Sequence, residues 1–394
     1  MPELMEQDNM RLINPHRPQK NFGVQVGFSQ TGFSLVELMV GLVIGLLATL
    51  VIMQVFSAFE GQKRTTSGTA DAQTSGSVGL YSLQRDVQLA GYGLPLYDAA
   101  NMPLNCAVTP TVDHDGDGGA LTPAISLSPF EITNGATATD SDTITVRYGT
   151  SENGGIPVPV IGAPVGLLAN INNNMACLNN DVVYTVTATN CAATRVNDVR
   201  LAPVGTRLAA NFTNITLATM PASVQDKTSL SCITGWTEIR FGVDNNNQLT
   251  RLNTLNNITP TPVVAGIVNM QAQYGVSAIA TSNQITQWVN ATGIWAPAAL
   301  TPANRNRIKA LRVAIVARND LLERLPAVSA ACSSTTAANP TGVCAWDATS
   351  ANPITASPAP AIDLSNTANW NQYRYKVYET IIPIRNMVWT RARL

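Results

Sequence analysis

From Leu38 to Phe59 the chain carries 22 consecutive residues without a charge, LMVGLVIGLLATLVIMQVFSAF. At 1.5 Å per residue this run makes about 33 Å of helix, enough to cross a hydrocarbon core of about 30 Å. The pattern predicts a membrane span. Phe33, Ser34, Leu35 and Val36 extend the apolar stretch back to Gly32, interrupted by one carboxylate, Glu37. A carboxylate carried to the centre of a bilayer costs on the order of 3 kcal/mol, so Glu37 calls for a partner. Gly41 and Gly45 form a GxxxG pair, which suits close helix packing in lipid and is also common in apolar 20-mers.

Past Phe59 the helical pattern continues to about Ala90. Leu80, Leu83, Val87 and Ala90 recur at spacings of three and four, the stripe of a helix lying on a core. Gly91 and Gly93 supply its stop. Between Thr65 and Gly79, three glycines and many Ser and Thr weaken the helix, and local melting is expected there. If continuous, residues 33 to 90 would make a rod of about 87 Å.

Farther along, the period changes to that of strands. DTITVRYG (142–149), DVVYTVTA (181–188) and WTEIRFGV (236–243) alternate or are rich in β-branched and aromatic residues. Asp244 to Asn247 then reads as a hairpin turn into QLTRLN, because Asn and Asp tolerate left-handed backbone. The strongest strands are 263–276, 308–318 and 373–385, which should pair into one antiparallel sheet with the helix stripe on one face. Residues 319–372 are an Ala, Ser, Thr and Pro-rich excursion, too long for an ordinary connection: a functional loop or a solvated insert. The expected fold is α+β: a long N-terminal helix packed on a predominantly antiparallel β head.

Composition narrows the chemistry. The 394 residues hold 24 Lys plus Arg against 25 Asp plus Glu, with no basic tract, which argues against nucleic-acid binding. The only histidines, His16 and His114, leave little for a multi-histidine metal site or a Ser-His-Asp hydrolase. No GxSxG, Walker A or strand-linked GxGxxG string is present. The expectation is a protein that is not an enzyme. Ahead of the span, Arg11, Arg17 and Lys20 are balanced by Glu3, Glu6 and Asp8. A start at Met10 would leave a flank of net +3, as on a cytoplasmic side.

Cys106, Cys177, Cys191, Cys232, Cys332 and Cys344 all follow the span, as disulfides made in an oxidising compartment would. Six cysteines allow fifteen pairings. Proximity pairs Cys177 with Cys191 and Cys332 with Cys344, leaving Cys106 with Cys232. One string resembles a metal loop: Asp113, Asp115 and Asp117 occupy positions 1, 3 and 5 of a calcium loop, with Gly118 at 6. Position 12, which needs a bidentate Glu, is Ala124, and a solvated Asp/Gly turn is the commoner explanation. No cofactor other than calcium comes into question.

Gly32-Phe33-Ser34-Leu35-Val36-Glu37-Leu38 resembles the prepilin-type cleavage and methylation signal of type IV pilins and type II secretion pseudopilins. The resemblance implies cleavage after Gly32 by a prepilin peptidase and N-methylation of Phe33. It also implies that Glu37 neutralises the Phe33 ammonium of a neighbouring subunit. LQRDVQLAGYG, DTITVRYG, VNMQAQYGV, LRVAIVAR and PIRN together resemble the PilW family of minor pilins. That resemblance extends over most of the chain.

Read so, residues 1–32 are a leader, 33–60 the transmembrane half of the helix, 61–93 its amphipathic half and 94–394 a periplasmic or extracellular head. The implied role is pilus assembly in a priming or tip complex. The implied partners are prepilin peptidase, other minor pilins and pilin subunits, a tip adhesin and, before assembly, inner-membrane lipid. Two alternatives stay open. One is a type II secretion pseudopilin, which genomic neighbours would distinguish; the other is a membrane-tethered periplasmic hydrolase with paired carboxylates, although no spacing of acids singles out such a pair.

Overall fold

A computed structural model describes residues 32–94, 128–137, 139–150, 156–172, 177–187, 190–201, 213–255, 259–323, 362–364 and 367–388. The chain forms two units, one ending at Phe59 and the next beginning at Glu60. The first long element, α1 (Leu35–Gln88), is a single helix of 54 residues.

The melting expected between Thr65 and Gly79 does not occur, and the reason lies on the helix surface. Gly68, Ala72, Gly76, Gly79, Leu83, Asp86 and Val87 are buried at spacings of three and four, forming one continuous stripe. A Cβ at Gly76 would fall inside the Tyr378 ring, and one at Gly68 would strike the Asn319 amide. These glycines therefore let the helix backbone approach the head closely, and the burial gained offsets their low propensity. Their hydroxyl neighbours are satisfied within the helix: Thr65, Thr69, Thr74 and Ser77 each donate to the carbonyl four residues back. Beyond Gln88 the chain turns through Gly91 and Gly93, both left-handed at φ +79, as the stop predicts.

The head begins with β1 (Phe130–Thr133) and β2 (Thr143–Tyr148). Six strands follow: β3 (Pro157–Pro159), β4 (Leu168–Ile171), β5 (Val182–Thr187), β6 (Asn190–Leu201), β7 (Thr213–Leu217) and β8 (Ser229–Ile233). Next come β9 (Thr237–Val243), β10 (Gln248–Asn253), β11 (Thr261–Ala265), β12 (Ile267–Ser277) and β13 (Ile285–Val289). The short helix α2 (Pro302–Arg305) leads into β14 (Ile308–Arg318), β15 (Tyr375–Pro383) and α3 (Arg385–Val388). All strand pairings among the described residues are antiparallel.

The first sheet has the order β1-β2-β9-β10-β11 and the second β13-β12-β14-β15. The strands at 308–318 and 373–385 thus pair as expected, but the run 263–276 is not one strand. Gly266 sits at φ +80, and a Cβ there would strike the Arg318 carbonyl. The chain turns at that glycine and hands Thr261–Ala265 to the first sheet and Ile267–Ser277 to the second. The hairpin at Asp244 forms as expected: its carboxylate accepts from the Asn246 and Gln248 amides, and Asn247 is left-handed.

Strands β3 to β8 form a separate module with the order β3-β8-β5-β6-β7-β4. An antiparallel bridge between Val160 and Ile171 joins the two ends of that order, with the Ile161 amide donating to the Asn170 carbonyl, so the sheet closes into a small barrel. Val158, Ala169, Val183, Val196, Leu217, Leu230 and their neighbours fill its interior. The barrel is inserted between β2 and β9, which are themselves paired from Ile144↔Phe241 to Tyr148↔Thr237. Its outer wall docks on the larger core through Val182, Tyr184 and Ile233.

The disulfide connectivity corrects the proximity pairing. Cys177 is bonded to Cys232, 55 residues away, and not to Cys191. Cys191 is disulfide-bonded as well. Sequence proximity misleads here because strand pairing sets which cysteines meet: Cys232 on β8 lies opposite Val183, inside the barrel. Cys106, Cys332 and Cys344 lie outside the described residues.

The main core joins α1 (Ala72, Leu83, Val87) to both open sheets through residues such as Phe241, Leu249, Tyr274, Leu311 and Ile315. Every residue of the three hydrophobic cores lies at Ala72 or later, so the unit beginning at Glu60 contains its whole interior. β14 is buried along all eleven residues; its second face is covered by Ile362 and Leu364 from the end of the 319–372 excursion. Residues 324–361 of that excursion lie outside the described residues.

Candidate functional site

The residues that carry the prepilin resemblance stand at the start of α1. Gly32, Phe33 and Ser34 precede the helix, and the Ser34 carbonyl accepts the amide of Leu38. Phe33 is 83% exposed, and nothing lies within 4 Å of where a Cβ on Gly32 would be. Glu37 lies in the first turn, where the helix dipole favours a negative charge, and its side chain is exposed.

Four-residue spacing sets Glu37, Gly41 and Gly45 along one face. A Cβ at either glycine would meet nothing within 4 Å. Around them, every residue from Gly32 to Phe59 is exposed, including Leu42, Leu46, Leu50, Ile52 and Phe56. This is the one described helix long and apolar enough to cross a membrane. An apolar rod with a small-residue seam and an acid at its start can pack against other helices in lipid or in an assembly, and the acid can receive a cation there.

The unit beginning at Glu60 fixes the rest of α1 by charge as well as by packing. Asp86, 2% exposed, accepts from Arg251 of β10 at 2.7 Å, which ties the helix to the first sheet. On β2, Arg147 lies between Glu131, at 3.0 Å, and Glu238. At the ends of the 319–372 excursion, Glu323 and Arg374 form a two-bond pair at 3.0 and 2.8 Å. The Arg374 guanidinium holds the Glu323 carboxyl below its usual range. Asp142 accepts from the amides of Gly135 and Ala272 at 2.8 Å each, bridging the first sheet's loop to β12; burial outweighs those bonds and raises its pKa to about 6.

None of these groups forms a cluster suited to a metal: among the described residues no three His, Cys, Asp or Glu side chains converge. Asp113, Asp115 and Asp117 lie outside the described residues, so the partial calcium loop has no geometry to report.

Residues 239–386 match a protein-family model described as type IV pilus-assembly protein W, PilW. Over this segment the chain is similar to the PilW family. The PilW segment runs from β9 to α3 and contains the whole second sheet, three strands of the first, and the surface on which Gly76 and Gly79 rest. It supports a role in type IV pilus assembly. The family signal thus falls on the carboxy-terminal strands, whereas the strings at Gly32–Leu38, LQRDVQLAGYG and DTITVRYG lie outside it, as does the barrel. No curated protein and no solved structure matches the chain.

Sequence reasoning missed the barrel and the glycine stripe as features of the site. The stripe had a signal, since Gly68, Ala72, Gly76 and Gly79 already repeat with a helical period. Apart from β5, the barrel's strands of three to five residues offered too little period to detect, and the twelve-residue β6 reads as a polar run, NCAATRVNDVRL.

Proposed function

We propose that this chain is a minor pilin that takes part in priming type IV pilus assembly or in its tip complex. A prepilin peptidase cuts after Gly32, the new amino group of Phe33 is methylated, and the apolar half of α1 holds the protein in the inner membrane with its head in the periplasm. On assembly that half leaves the lipid for a bundle of like helices. Glu37 then meets the Phe33 ammonium of a neighbouring subunit, in surroundings where opposite charges attract far more strongly than in water. The head selects its neighbours among other minor pilins, pilin subunits and a tip adhesin. The protein acts by assembly and not by catalysis.

The observation that carries this reading is the pairing of a PilW segment in the head with an exposed apolar helix opened by Gly32, Phe33 and Glu37. Mass spectrometry of the protein purified from cells tests it. The expected amino terminus is N-methylated Phe33; a mature protein that retains residues 1–32 would overturn the reading.

A further inference from the structure

Of the three cysteines Cys177, Cys191 and Cys232, the barrel's disulfide joins the two that lie farthest apart in the chain. Cys177 and Cys232 are fully buried inside the barrel, whereas Cys191 lies half-buried against the main core on the other side of the barrel wall. Strand register shows why: Cys232 stands opposite Val183 of β5 and Cys191 opposite Val186. Three positions along one strand place the two on opposite faces. A bond between Cys177 and Cys191 is therefore incompatible with the closed barrel.

In the unfolded chain that same wrong bond is the favoured one. Cys177 and Cys191 are 14 residues apart and Cys177 and Cys232 are 55 apart. Loop closure falling as the three-halves power of length makes the nearer pair meet about eightfold more often. Cys191 is also the cysteine that follows Cys177 in the chain, so any oxidant acting from the amino terminus reaches it before Cys232.

We propose that this chain is a substrate of a thiol–disulfide isomerase, which reopens a Cys177–Cys191 bond before the barrel closes. The first bond arises when a disulfide donor accepts two electrons and two protons from a pair of thiols and is reduced to a dithiol. A thiolate of the isomerase then attacks the sulfur of Cys177, forming a mixed disulfide and expelling Cys191 as a thiolate. The Cys232 thiolate attacks the same sulfur, forms the Cys177–Cys232 bond and releases the isomerase thiolate, with no net oxidation. Closure of the barrel ends the exchange, because both sulfurs are then out of reach of any thiolate.

The test is refolding of the reduced, denatured full chain in detergent micelles under three conditions: oxidised glutathione alone, oxidised with reduced glutathione, and oxidised glutathione with protein disulfide isomerase. Acid-trapped samples are mapped by peptide mass spectrometry. The Cys177–Cys191 linkage should lead early, about eightfold over Cys177–Cys232. It should convert to the native linkage where a free thiol or the isomerase is present and stall where neither is. Direct and complete formation of Cys177–Cys232 in oxidised glutathione alone would overturn the proposal. In Cys191→Ser the dependence on added thiol should fall several-fold; an unchanged dependence would also overturn it.

Discussion

The two halves of α1 carry the same kind of residue in opposite circumstances. Gly68, Gly76 and Gly79 press against Asn319, Tyr378, Leu249 and Ile315, whereas Gly41 and Gly45 face open space. Leu83 is fully buried; Leu46 is 55% exposed. One half finds its complementary surface within this polypeptide. The other has an apolar face, a small-residue seam and an acid, and among the described residues nothing covers them. Glycine in a helix interior costs up to about 1 kcal/mol relative to alanine, so two such seams differ in where the compensating contact is made. For the second half it is made within the chain; for the first we assign it to lipid and then to other subunits.

The largest test of this contrast is a matched pair of truncations. Leu83→Ala should destabilise the head by about 2 to 5 kcal/mol, read as a lower midpoint in denaturant unfolding. Leu46→Ala should leave that midpoint unchanged, because no part of the three cores includes it.

A smaller effect follows from adding volume. At Gly76→Ala the new methyl overlaps the edge of the Tyr378 ring and should cost about 1 to 3 kcal/mol, less the helix propensity gained. Gly45→Leu should leave the head's unfolding midpoint where it is while lowering recovery of the protein in sheared pili. A loss of head stability from Gly45→Leu would break the contrast.

A further effect is tied to pH and belongs to the head alone. Asp142 has its pKa raised to about 6 from an ordinary 3.8, so between those values the folded state holds a proton that the unfolded state has released. Stability then falls as pH rises from about 4 to 6 and levels off above, by at most on the order of 3 kcal/mol. Asp142→Asn should flatten that slope in unfolding curves measured across the interval, whatever its effect on absolute stability.

Much of this organisation was legible in the residues. The 22-residue uncharged run, the stripe through Leu83 and Val87, the glycine stop and the strands at 143–148, 237–243, 308–318 and 375–383 all follow from period and punctuation. The hidden parts share one physical cause: they depend on what a segment meets far along the chain. Thr65–Gly79 reads as a weak helix until Tyr378 and Asn319 arrive to fill its glycine seam. The run 263–276 reads as one strand until the Arg318 carbonyl crowds Gly266. Cys177 reads as the partner of Cys191 until β5 sets Cys191 and Cys232 on opposite faces. Among the candidate site residues, the string from Gly32 to Glu37 is a local pattern, while the surface that receives the helix is assembled from two sheets and could not be read from any one segment.

The most direct test of the account is replacement of Glu37. With Glu37→Ala, the protein should insert in the membrane and accumulate at the normal level, yet be absent from pili sheared from the cell surface. Recovery of Glu37→Ala in sheared pili at the level of the unaltered protein would contradict the claim that this carboxylate finds its counter-ion on a neighbouring subunit.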